Sequence, residues 1–352
     1  MDFALNISLP HPPNSLSHPE AICKVNGVNL FCRLFFLVLI GGCFLLDGYS
    51  VQARKAHLPS TGAYVLLPDW CRSRGVTLRK VSGDEAYEAS NSRFRFLLRV
   101  DSREARVNNI GLCLSFPILR QSSTPLVSEV DVKTALDPLL GINGSGNAKK
   151  VLRITLDPGH GGKDPGNIVG KNKEKDYALA WAMELKRQLD KAGFKVNLTR
   201  YGDTLIPLAE RPDVARRNSA DLFICLHWNS LRTDRSVSGV QTFCMTPAGT
   251  SSSNGGGVIG KMPCSGNIHN RQNVQLAYEI QNSLVKNAGI EDRGVRRARY
   301  EVLRGAPMPA VLIEGGFMTN PSELKRIQDP RYRQKMAAAI VAGVKAYCSE
   351  MQ

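Results

Sequence analysis

The 352-residue sequence has no arginine-rich run and no basic stripe interleaved with aromatics, although its formal net charge is +15. That combination sets aside nucleic acid as the main partner and leaves an anionic polymer or a membrane surface. None of its nine cysteines stands in zinc-ribbon spacing, so a cysteine metal site is not expected. The glycines and lysine of "GHGGKD" lack the Gly-x4-Gly-Lys-Ser/Thr spacing of a phosphate cradle, which argues against nucleotide binding. The apolar segment that starts at Leu34 runs for about 13 residues, short of the roughly 20 that a spanning helix needs. What remains is 43% hydrophobic and 22% charged residues. That is the balance of a globular chain with a real core, at a length with room for two domains.

Residues 1–53 read as an export signal. Lys24 and Arg33 lead into the apolar segment, and Val51-Gln52-Ala53 forms a small-residue exit. The stretch before the signal is long, which suggests that translation starts downstream of Met1. "LIGGC" (39–43) also matches a lipoprotein signal with Cys43 as the lipidated residue, and a retained anchor is a third reading. Cleavage after Ala53 would leave Cys71, Cys113, Cys225, Cys244, Cys264 and Cys348. Cys244 and Cys264 flank a Gly/Ser loop that a disulfide could close in an oxidising compartment. Cys225, in an apolar strand, reads as a buried thiol.

A polar stretch at 141–150, "GINGSGNAKK", separates two regions. Before it, over 58–140, "AYVLLPDW", "RFRFLLRV" and "LCLSFPIL" suggest strands of a small α+β domain. Two segments there run from a Ser/Thr turn through an apolar stretch into a helix. This region resembles the copper-amine-oxidase N-terminal-like domains of exported bacterial proteins. It contains no histidine after His57 and so no copper ligands, and packing or wall contact is its expected role.

Over 151–349, strands and helices alternate. "VLRITLDPG", "FKVNLTR", "ADLFICLHWN", "GVQTFCMT" and "MPAVLIEGG" read as strands. "KDYALAWAMELKRQLDKAG", "LAERPDVARRNSA", "NVQLAYEIQNSLVKNAG" and "RYRQKMAAAIVAGVKAYC" read as helices. The alternation predicts an α/β fold, a three-layer, mostly parallel sheet flanked by helices.

In such a sheet, ligands bind beyond the carboxyl ends of the strands. Three strands end there in a metal-capable residue: His160, His227 and Glu314. Glu174 opens the first helix. Two imidazoles and one carboxylate make a three-ligand zinc set that leaves a position for water, and the second carboxylate is free to act as general base. Each residue also has a plainer reading. His160 could cap a turn, His227 could be a hydrogen-bonded strand end, and Glu174 could be one charge of a solvated run with Lys171, Lys173 and Lys175. Glu314 is harder to dismiss, because an acid after "AVLI" loses solvation and costs stability without a partner.

"LDPGHGG", "KEKD", "LTR", "ADLFICLHWNS" and "MPAVLIEGGFMTN" occur in the order found in the zinc-dependent N-acetylmuramoyl-L-alanine amidases, and the chain resembles that family from Val151 to Cys348. The resemblance implies a phosphorylase/hydrolase-like fold and one Zn2+ held by His160, Glu174 and His227. Glu314 would be the catalytic carboxylate, and the bond cut would join N-acetylmuramic acid to L-alanine of the stem peptide. Trp228 stands where the family usually has a small residue, while Asn229 is kept. Both are expected substrate contacts, Trp228 by narrowing the groove or stacking on a sugar.

Some members of the family are held off by an inserted helix that presents a carboxylate to the zinc. No Asp or Glu occurs from Val237 to Tyr278, so self-inhibition from this loop is not expected. His269, in the same loop, reads as a surface residue more than a substrate contact. Peptidoglycan is the expected partner, with a protein activator if one is needed, no nucleic acid, and a membrane only through a lipid anchor. The chain is expected to be a monomer, exported to the periplasm or cell wall. The rival readings are a zinc peptidase acting within the stem peptide and an inactive wall-binding protein.

Overall fold

The computed structural model describes residues 63–142 except 82 and 84, together with 151–254 and 260–350. The expected export signal and residues 143–150 of the expected linker lie outside these. The described residues fall in one compact unit, Ser60–Gln352.

Its centre is an eleven-stranded sheet. Five strands come from the first region: Thr77–Lys80 (β1), Ala86–Ser90 (β2), Arg95–Arg99 (β3), Glu104–Val107 (β4) and Ile110–Cys113 (β5). Six follow: Arg153–Pro158 (β6), Lys195–Leu198 (β7), Leu222–Asn229 (β8), Val240–Met245 (β9), Asp292–Ala298 (β10) and Ala310–Phe317 (β11). The order across the sheet is β7-β6-β8-β11-β9-β10-β5-β4-β3-β2-β1. From β7 to β11 all neighbours are parallel, as the βαβ alternation requires. β9 then runs antiparallel to β11 and parallel to β10. The expectation of a mostly parallel sheet therefore holds for the later six strands, whereas β1 to β5 form an antiparallel meander.

Alternation along the central strands decides what faces where. On β8, Leu222, Ile224, Leu226 and Trp228 point into the larger core, while Phe223 and Cys225 point into the smaller one on the other face. Burial on both sides explains why this strand is apolar almost throughout. The larger core is closed by Glu174–Lys191 (α2), Asn270–Ala288 (α4) and Pro330–Glu350 (α6). On α2, Ala178, Trp181, Ala182, Leu185 and Leu189 are fully buried, at the spacing of one helical stripe. Each buried leucine of that stripe is worth about 1.5–3 kcal/mol relative to exposure. Glu210–Arg217 (α3) and Glu301–Arg304 (α5) cover the smaller core.

Three features differ from the sequence-based expectation. "AYVLLPDW" is only a short strand, Tyr64–Leu66, before Pro68 starts the helix Leu67–Ser73 (α1). β10, "DRGVRRA", is a strand that its charges conceal; its buried Arg297 donates to the Thr134 carbonyl at 2.9 Å. Cys244 and Cys264 are both free. Cys244 sits in the larger core and Cys264 packs against the smaller one, so the sheet stands between the two sulfurs.

The meander joins the later strands at Leu112 and Val295. Asp292 staples this junction, accepting the Gly111 N–H at 2.7 Å and the Gln281 side-chain amide at 2.8 Å. Gly294 has φ +84°, and a Cβ there would lie 2.9 Å from the carbonyl group of Gly111. Gly294→Val combines a disfavoured backbone with a backbone collision, and is expected to cost about 2–4 kcal/mol. Urea denaturation measures this; an unchanged midpoint would show that the junction carries no stability.

Candidate active site

The loop after β6 holds His160 in a left-handed conformation, φ +61°, which a side chain bearing Cβ adopts only at a cost. Two buried arginines impose it. Arg200 donates to the carbonyls of Pro158 and Gly159, at 3.1 and 2.7 Å. Arg211 donates to the carbonyl of His160 at 3.0 Å and to the carboxylate of Asp157 at 3.1 Å. Asp157 is fully buried and also accepts from Thr199 Oγ1 at 2.6 Å and Cys225 Sγ at 2.9 Å. Cys225 is thus the buried thiol expected of it. Gly159 has to be glycine, because a Cβ would stand 2.3 Å from the ring of His227.

Glu174 is the first residue of α2, where the helix dipole favours a carboxylate. It is 1% exposed, so it is no part of a solvated charge run. Its Oε1 meets His160 Nε2 at 3.1 Å, His227 Nδ1 at 2.9 Å and the backbone N–H of Trp228 at 3.0 Å. Its Oε2 accepts from the backbone and side-chain amides of Asn167, at 3.0 and 2.7 Å. The imidazole rings of His160 and His227 lie edge to face, 4.8 Å apart. One ligand atom from each of His160, Glu174 and His227 falls within 4.8 Å of the others, a group able to hold a metal ion. The second nitrogen of His160 faces Asp164 Oδ2 at 2.7 Å.

Burial opposes charge here, and hydrogen bonding overrides it for two of the three. Burial draws the His160 imidazole down, but the bonds to Asp164 and Glu174 hold it at about 10. Burial raises the Glu174 carboxyl, yet the bonds from His160 and His227 leave it well below its ordinary value. His227 is lowered, chiefly by burial.

Glu314 lies beside His227 in the parallel register of β8 and β11. It is 8% exposed, and its Oε2 has no hydrogen-bond partner. Burial, reinforced by the charge of Glu174, pushes its carboxyl up to about 8. A proton-accepting group near neutrality beside a metal-capable cluster suits general base chemistry.

The four residues named for metal and catalysis therefore come together. Trp228 does not join them: alternation turns it to the opposite face, fully buried with its ring centroid 4.7 Å from that of Trp181. It offers no surface for a sugar. Asn229 returns to the site's face and is half-buried. His269 is half-buried, its Nε2 3.2 Å from the Pro307 carbonyl.

Asn167, Asp164, Arg200 and Arg211 were not singled out from the sequence. For Arg200 and Arg211 the clue is Asp157, an acid inside an aliphatic strand that needs a buried cation. Asn167 has no comparable signal, since its role depends on how the loop folds back over Glu174.

Residues 154–346 match the N-acetylmuramoyl-L-alanine amidase family. The chain is 33% identical over 220 residues to N-acetylmuramoyl-L-alanine amidase AmiA of Escherichia coli, covering 55% of this chain and 75% of that protein. It is 35% identical over 208 residues to the probable cell wall amidase LytH of Staphylococcus epidermidis, covering 58% of this chain and 61% of that one. Among solved structures, an N-acetylmuramoyl-L-alanine amidase from Clostridium difficile is 31% identical, with a TM-score of 0.48 over 57% of this chain and 98% of that one. With more than half of its length matched, the chain belongs to the N-acetylmuramoyl-L-alanine amidase family.

Proposed function

We propose that this amidase is exported and hydrolyses the amide between N-acetylmuramic acid and L-alanine in peptidoglycan, with one Zn2+ held by His160, Glu174 and His227 and with Glu314 as its catalytic carboxylate. The observation that carries the reading is a buried Glu314 oxygen without a partner, beside three converging donors. The donor set suits zinc. Zinc takes two imidazoles and a carboxylate with a position left for water, and the imidazole nitrogens here converge on the Glu174 oxygen at 3.1 and 2.9 Å.

A bound zinc ion would supply Lewis acidity to the scissile carbonyl and acidity to the attacking water. The chain's own residues do the rest. Glu314 accepts the proton of that water and returns one to the departing alanine nitrogen. Asp164 and Asn167 hold the His160 ring and the Glu174 carboxylate in their orientations, as outer partners of a metal site do. The strained loop keeps His160 at the rim, where a polymer can approach closely. Export rests on the segment ending near Ala53, and the net charge of +15 suits a wall rich in carboxylates. Among the described residues, no helix is long and apolar enough to cross a membrane.

Mass spectrometry of peptidoglycan digested with residues 54–352 tests the bond and the metal together. Free stem peptides with a new L-alanine amino terminus are expected, and none once zinc is chelated. Cuts within the stem peptide would make the enzyme a zinc peptidase instead. Activity is expected without removal of the 246–269 loop. Glu314→Gln is expected to lower kcat by about 10²–10⁴ while wall binding stays intact; retained turnover would remove the carboxylate from the chemistry. Asn167→Ala is expected to weaken zinc binding about 10–100-fold. Competition against a chromophoric chelator measures this, and an unchanged affinity would leave Asn167 with no part in holding Glu174.

A further inference from the structure

Three residues stand side by side across neighbouring strands on the smaller-core face. His227 is in register with Glu314, and Glu314 is in register with Gln241 on β9. Alternation puts Gln241 on that face, because Phe243 and Met245 of the same strand point into the smaller core. Neighbouring strands are about 4.8 Å apart. Gln241 therefore flanks Glu314 on the side away from His227.

The orientation of its amide follows from a chain of bonds. The backbone N–H of Ser230 can only donate, and it meets Asn229 Oδ1 at 2.7 Å. That fixes Asn229 Nδ2 as the atom facing Gln241, and Gln241 Oε1 accepts from it at 3.2 Å. Nε2 of Gln241 is left over, and among the described residues no acceptor meets it. The side chain is half-buried. No acid from Val237 to Tyr278 competes for that donor.

We propose that Gln241 is a specificity-determining residue that donates its Nε2–H to an acceptor oxygen of the stem peptide, next to the scissile amide. Asn229, expected from the sequence to touch substrate, is then a positioning residue that aims Gln241. The inference rests on the amidase reading. The acceptor is a carboxylate or a peptide carbonyl, and the choice of substrates separates them.

The test uses the full chain with Gln241→Glu and Gln241→Met, assayed on two soluble muropeptides. In one the first free carboxylate of the stem is intact; in the other it is converted to a primary amide. Both variants are expected to raise KM about tenfold or more with zinc content unchanged. A rise confined to the carboxylate muropeptide, larger for Glu than for Met, identifies the carboxylate as the acceptor. Equal rises on both identify a peptide carbonyl. Unchanged KM on both, with wild type cutting the muramoyl bond, overturns the proposal. So does a lower kcat with lost zinc at unchanged KM, which would make Gln241 a structural support. If wild type does not cut that bond, the amidase reading itself fails and the inference with it.

Discussion

A single carboxylate oxygen organises the site. Oε1 of Glu174 receives two imidazole nitrogens and a backbone N–H, in a place where an unpaired charge would be prohibitive. The groups that meet there come from three parts of the fold. His160 comes from the loop after β6, His227 and the N–H of Trp228 from β8, and the oxygen itself from the first turn of α2. Burying Glu174 therefore demands that helix, strand and loop arrive together. The same demand makes the cluster a cation site, since the positive charge can be supplied by a proton or by a metal ion.

Strand alternation then distributes roles that the sequence presents side by side. "LHWN" places His227 and Asn229 on one face and Trp228 on the other. The helix-start position of Glu174 and the strand-end positions of His160, His227 and Glu314 were legible, because amphipathic periodicity reveals elements and elements have ends. The place of Trp228 was open to the same parity argument. A tryptophan beside a ligand nonetheless suggests a sugar platform until Trp181 is seen beneath it. Asn167, Arg200 and Gln241 were hidden for a different reason: their roles depend on which strands are neighbours and how loops return, and periodicity carries neither. β10 was hidden because its pattern is dominated by charged residues whose partners lie on other elements.

The first region bears on the same sheet. β9 and β10 reverse the parallel order, so without β5 the strand Asp292–Ala298 would be an open edge, and open edges invite unwanted pairing. The meander covers it, and the paired glycines 111 and 294 let the backbones approach more closely than side chains would allow. Arg297 adds a tie from β10 to the Thr134 carbonyl. The region's expected role in packing thus has a physical basis at this edge, separate from any contact it makes with the wall.

Rigid placement and adaptable recognition divide along the row His227, Glu314 and Gln241. The first two are buried, so their positions follow from backbone register and change little with the substrate. Gln241 is neutral and half-buried, held through one oxygen with its nitrogen uncommitted. A neutral donor can meet a carbonyl or a carboxylate without the desolvation cost of a second buried charge, and without adding to the repulsion that already raises Glu314. An acid in its place would add a second charge beside Glu314. The amide at this position therefore adds no charge beside the base and none to repel an anionic polymer.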